Sequence, residues 1–104
     1  MDDDIKAIMK PYRQRIDDLD DRIIELLAER TQVIREVGHL KHEKGIPSVI
    51  QHRVDEVRER NAVHAAAKGM DDDLVRQIYT LLIDYSCNLE DEIKAAIDKK
   101  SSAA

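Results

Sequence analysis

A chain of 104 residues with 38 % charged side chains, no Trp or Phe, three Gly and two Pro has room for one domain at most, and favours long solvated helices over a sheet or a disordered tail. Its net charge of −5, with no basic block set apart from acidic neighbours, argues against a nucleic-acid partner. The lone Cys87 permits no internal disulfide, and neither a signal peptide nor an apolar run of about 18 residues is visible; the expectation is a soluble cytoplasmic protein with no membrane partner. A single core from so short a chain is modest, so oligomerisation is plausible.

The first expected helix runs from somewhere between Asp2 and Pro11 to about Lys41. Its apolar stripe is Ile5, Met9, Tyr12, Ile16, Leu19, Ile23, Leu26, Leu27, Ile34 and Val37. Either Pro11 is the first-turn proline of a helix beginning there, or the helix begins at Asp2, Asp3 and Asp4 and bends at Pro11. Taken as about 30 residues it spans roughly 45 Å, more than a small domain is wide, and it needs a partner along its length.

The connection HEKGIP holds Gly45 and Pro47, and Ser48 with Gln51 has capping-box spacing for a second helix. That helix carries Ile50, Val54 and Val57 on one face and is expected to stop at Gly69. Asp71, Asp72 and Asp73 supply an N-cap and first-turn charge for a third helix, with a stripe of Leu74, Ile78, Leu81, Leu82, Tyr85 and Leu89. From Lys99 the chain reads as frayed, giving a helical domain over 1–98 and a tail over 99–104. The fold class is all-α.

Two cations interrupt the first stripe. At about 100° per residue with Ile23 as zero, Leu27, Ile34 and Val37 fall within roughly 40°, Arg30 near −20° and Lys41 near 0°. Charges pointed at a core need an anion to meet them. Arg53 borders the apolar face of the second helix, Ser86 and Glu90 stand one turn apart on the third, and Arg13 lies about 80° from the centre of the first stripe. Three guanidiniums, an ammonium, a hydroxyl and a carboxyl suit a small ligand with two carboxylates, because a guanidinium fork grips a carboxylate bidentately and the ammonium acts as a point charge.

The series Arg13, LDDRIIELLAER ending at Arg30, EVGHLK ending at Lys41, a Pro-containing turn, Arg53, and IDYSCNLE with Ser86 and Glu90 resembles the all-helical class of chorismate mutases over nearly the whole chain. The spacing of Arg13, Arg30, Lys41 and Arg53 is its most specific part. The resemblance implies a three-helix protomer with one very long N-terminal helix, in an intertwined homodimer with two equivalent sites, where Arg13 enters the site of the other subunit. It also implies a Claisen rearrangement of chorismate to prephenate, which needs no cofactor, nucleophile or proton transfer. The enzyme holds the enolpyruvyl arm over the ring and stabilises charge growing on the breaking ether oxygen. By the same resemblance Arg13 and Arg30 bind the carboxylates with Arg53 and Ser86, Lys41 reaches a carboxylate and the ether oxygen, and Glu90 donates the second hydrogen bond to that oxygen. The catalytic set is then Lys41, Glu90 and Arg30.

Three positions depart from the family pattern. Many members carry Gln where Glu90 stands, and a carboxyl donates only when protonated; activity is expected to fall as pH climbs above the acidic range. An Asp and a Glu that face the C4 hydroxyl in well-matched members are here Ile50 and Val54. A missing partner for one hydroxyl costs about 1 to 3 kcal/mol, which opens two other substrates. Isochorismate-pyruvate lyases share this fold and lack both acids, although the twelve-residue spacing from Lys41 to Arg53 fits the mutase pattern; a mutase acting on a modified chorismate is the other. A non-catalytic dimeric module with the mutase fold is a third possibility, but it has no use for all of Arg13, Arg30, Lys41 and Arg53.

Taken singly, each of these residues has a plainer explanation. Arg30 can snorkel or pair with an acid on another helix, Lys41 suits a helix end, and Ser86 with Glu90 can be a solvated edge. Coincidence across three helices at family spacing outweighs them. His39 and His42 are the only close histidine pair, with His52 and His64 away from zinc-site spacing, so no metal is expected.

Overall fold

The computed structural model describes residues 2–103 and contains three α-helices: α1 (Asp2–Lys44), α2 (Gln51–Ala67) and α3 (Asp72–Ala103). No strand occurs among the described residues. The chain divides into two compact units, Met1–Gln32 and Val33–Ala104.

In the first unit α1 begins at Asp2 and takes Pro11 inside the helix, the second of the two starts open from sequence. Asp2, Asp3 and Asp4 occupy its first turn, where carboxylates face the positive end of the helix dipole. Ile5, Tyr12, Ile16, Leu19, Ile23 and Leu26 are all at least half exposed in the single chain, so their stripe finds no cover there.

The second unit is built on short-range stop signals. Gly45 adopts φ +66°, with the Ile46 amide donating to the Lys41 carbonyl (2.8 Å) and the Gly45 amide to His42 (3.4 Å), the Schellman ending of α1. Gly69, at φ +79°, closes α2 in the same way through Met70 to Ala65 (2.9 Å) and its own amide to Ala66 (3.0 Å). Asp71 caps α3, its Oδ1 accepting from the Asp73 and Leu74 amides at 2.9 and 3.2 Å.

One start signal fails. The N-cap of α2 is Ile50, with extended backbone and no side-chain cap, and not Ser48. The Lys41 ammonium holds the Ser48 carbonyl and the Ser48 side chain is buried, while Gln51 bonds Asp55 instead of reaching back.

Where α2 packs on α3, Ala62 and Ala65 of the one and Val75 and Ile83 of the other are buried. The small α2 residues permit close approach, and Arg76 of α3 adds ion pairs to Glu59, Asp72 and Asp73; these lie at the surface, where such pairs contribute little. The buried face of α3 is Val75, Ile83, Ser86 and Glu90, whereas Leu74, Ile78, Leu81 and Tyr85 of the expected stripe are exposed. The stripe exists, but much of it is left uncovered, with only Leu82 and Leu89 half-buried. The helix also continues to Ala103, past Lys99 where fraying was expected.

Candidate active site

Three elements of the second unit converge on Lys41. It stands in the last turn of α1, one turn after Gly38, which is buried. A Cβ built on Gly38 would lie 3.4 Å from the Glu90 Cα and 3.2 Å from the Ile93 Cδ1. Glycine at this point lets the two backbones approach closely enough for the side chains beyond them to meet.

They meet as an ion pair. Lys41 Nζ lies 2.7 Å from Glu90 Oε1, with the two side chains only 16 % and 5 % exposed. That contact departs from good hydrogen-bond direction, so its character is chiefly coulombic. The same ammonium donates to the Ser48 carbonyl at 3.0 Å. A buried charge is tolerated only when paired and hydrogen-bonded, and Glu90 with Ser48 supplies both conditions.

Around this centre Ser86, one turn before Glu90, is buried and donates to the Leu82 carbonyl at 2.8 Å. Cys87 Sγ lies 3.8 Å from the Ser48 carbonyl; burial pushes its thiol up, and the Glu90 charge adds to that. Ile50 and Val54 are both half-buried, at the start of α2. Val54 lines a cleft of about 350 Å³ between α2 and α3 together with Arg58, Ile83 and Cys87. Lys41 itself lines another, of about 300 Å³, with Ile46, Pro47 and Lys94.

The remaining expected residues are placed differently. Arg53 is exposed and pairs with Glu56 one turn on, not with the groups gathered at Lys41. Arg13 is exposed on α1 and Arg30 half-buried on it, both within the first unit. His42 pairs with Asp98 at 2.7 Å. Among the described residues the carboxylates of Asp71, Asp72 and Asp73 gather within 4.8 Å of one another, where they cap α3 and pair with Arg76.

Gly38, Ser48 and Lys94 were not singled out from sequence as parts of a site. Gly38 carried a legible signal, a glycine inside a helical apolar pattern. The place of Ser48 depends on a contact from Lys41 seven residues away, which no local pattern announces.

A half-buried ammonium at the edge of a cleft, backed by a buried carboxylate, can receive an anionic ligand and hydrogen-bond an oxygen on which charge develops. Residues 12–91 match the family described as chorismate mutase type II, and the chain belongs to that family. Relatives include a 4-amino-4-deoxychorismate mutase of Streptomyces pristinaespiralis, 30 % identical over 80 residues that cover 77 % of this chain and 62 % of that protein. A chorismate mutase of Methanocaldococcus jannaschii is 27 % identical over 78 residues, covering 75 % and 79 %. The T-protein of Haemophilus influenzae is 30 % identical over 70 residues, covering 67 % of this chain but 19 % of that one. The chain thus spans less than two thirds of two of these three relatives. No described helix is long and apolar enough to cross a membrane.

Proposed function

We propose that the protein is a chorismate mutase, rearranging chorismate to prephenate in the cytoplasm as a homodimer. The observation that carries this reading is the pairing of half-buried Lys41 with buried Glu90 in a chain of the type II family. The bond changes are pericyclic: the ether C–O bond breaks while a new C–C bond forms, and no proton is gained or lost. Lys41 hydrogen-bonds the ether oxygen as negative charge grows there, and Glu90, when protonated, supplies the second donor. Arg30, Arg53 and Ser86 bind the carboxylates and hold the reactive conformer, with Arg13 reaching in from the other subunit. On this reading Arg53 exchanges Glu56 for substrate, at little cost because that pair is exposed.

The exposed stripe on α1 supports the dimer, since Ile5, Tyr12, Ile16, Leu19 and Ile23 would otherwise leave a row of apolar surface in water.

A second substrate is favoured by one observation. Ile50 and Val54 offer no acceptor to a C4 hydroxyl, and two relatives are named for the 4-amino-4-deoxy analogue. A chorismate modified at C4 is therefore the alternative. Incubation with chorismate, 4-amino-4-deoxychorismate and isochorismate, followed by chromatography, decides between them. Prephenate formed fastest from chorismate upholds the proposal, and faster turnover of the amino analogue replaces its substrate. Salicylate and pyruvate from isochorismate would make the protein a lyase, and silence with all three would make it a non-catalytic module.

A further inference from the structure

Lys94 follows Glu90 by one turn on α3 and is half-buried. Its ammonium donates to the Ile46 carbonyl at 2.6 Å. Two lysines from different helices therefore grip alternate carbonyls of one connecting segment: Lys94 holds Ile46 and Lys41 holds Ser48. Pro47 stands between them and restricts the backbone there. The segment ends at Ile50, the N-cap of α2.

These contacts differ in what they do. Glu90 alone would draw the Lys41 ammonium onto its carboxylate. The Ser48 carbonyl pulls it to a second direction and takes one of its three N–H groups. That carbonyl is where it is only if the segment from Gly45 to Ile50 is held, and beyond the Schellman turn at Gly45 the Ile46 carbonyl is held by Lys94. Charge-assisted bonds to a carbonyl are stronger than neutral ones, and this one is partly shielded from water.

We propose that Lys94 is a positioning residue: by fixing the Ile46 carbonyl it keeps the Ser48 carbonyl in place to share Lys41 with Glu90, and so aims the Lys41 ammonium at the reacting oxygen. The kinetic part rests on the function proposed above; the placement of Lys41 does not. Lys94 itself touches no reacting atom in this scheme, so its removal changes the barrier through Lys41 and leaves the carboxylate contacts of Arg30, Arg53 and Ser86 alone.

The test compares Lys94→Met and Lys94→Arg with the unaltered protein by amide hydrogen exchange, side-chain NMR of the Lys41 ammonium, and steady-state kinetics. In Lys94→Met the Ile46 amide, which donates to the Lys41 carbonyl at 2.8 Å, should exchange about tenfold faster while α2 and α3 keep their protection. The Lys41 signal should move, and kcat should fall about tenfold with KM within about threefold. Lys94→Arg, which keeps a cationic donor, should recover most of each change. Unaltered exchange and an unmoved Lys41 signal would overturn the proposal, whether or not the protein turns over chorismate. Faster exchange with an unmoved signal would overturn it too, making Lys94 a loop anchor only, as would a loss of protection throughout α2 and α3. If the unaltered protein turns over none of the substrates, the function falls while exchange and NMR still decide the role of Lys94.

Discussion

Lys41 Nζ and Glu90 Oε1 stand 2.7 Å apart, both largely out of water, across a point where Gly38 brings α1 against the backbone of Glu90 itself. The pair has two consequences for chemistry. It settles a charge that would be costly alone, and it places a carboxyl that donates only when protonated beside the cation proposed to work with it.

Glu90→Gln tests whether position 90 works as a donor. A carboxylate only accepts, whereas the glutamine amide has nearly the same size and always offers N–H groups beside Lys41. If the group at 90 hydrogen-bonds the ether oxygen, kcat/KM of Glu90→Gln for chorismate at neutral pH should exceed that of the unaltered protein by about tenfold. A fall instead would remove Glu90 from this role and leave it as the anion that holds Lys41.

Gly38→Val tests the close approach. A branched side chain cannot enter a space where even a Cβ meets the Glu90 Cα at 3.4 Å and Ile93 at 3.2 Å. Overpacking of this kind costs about 1 to 3 kcal/mol, and it pushes Glu90 away from Lys41. Denaturant unfolding should show the loss of stability, with activity falling further than the folded fraction accounts for; stability within error of the parent would show that α1 yields without strain.

Cys87 should be a slow thiol. Burial first, and then the Glu90 charge, push its ionisation up, so less thiolate is present near neutrality than for a free cysteine. Alkylation by iodoacetamide at about pH 8 should be at least about tenfold slower in the native protein than in urea. The sign for stability follows: because the folded-state value is raised, this contribution is fully present below the ordinary thiol range and is lost as pH climbs from there through the raised folded value. Native labelling as fast as in urea would contradict the placement of the thiol.

The α1 stripe should be an interface. Ile16, 54 % exposed in the single chain, becomes a buried apolar contact in the proposed dimer, so Ile16→Glu should weaken self-association by at least about tenfold in sedimentation velocity. An unaltered protein that sediments as a monomer at high concentration would refute the dimer and, with it, the cross-subunit part of Arg13.

Much of the helical framework was legible because its signals are local. Gly45, Gly69 and Asp71 end or begin helices through bonds to groups within a few residues, and these were placed from sequence. Ser48 carried the same kind of signal and did not cap α2, because Lys41 and burial claim it. Periodicity likewise showed an apolar stripe on α3, yet Leu81 and Tyr85 are exposed and Ser86 and Glu90 are buried. A period reveals that a face exists, not which neighbour covers it.

The sequence by itself determined three helices, their turns and the unusual set of cations, since spacing and short-range hydrogen bonding are properties of the chain alone. Only the tertiary structure decided that Glu90, forty-nine residues away, is the anion that meets Lys41, that the Ser48 carbonyl shares the same ammonium, and that Gly38 makes the meeting close. Those outcomes depend on how backbones pack in space, where a missing Cβ or a held carbonyl moves a charge by more than any local propensity can specify.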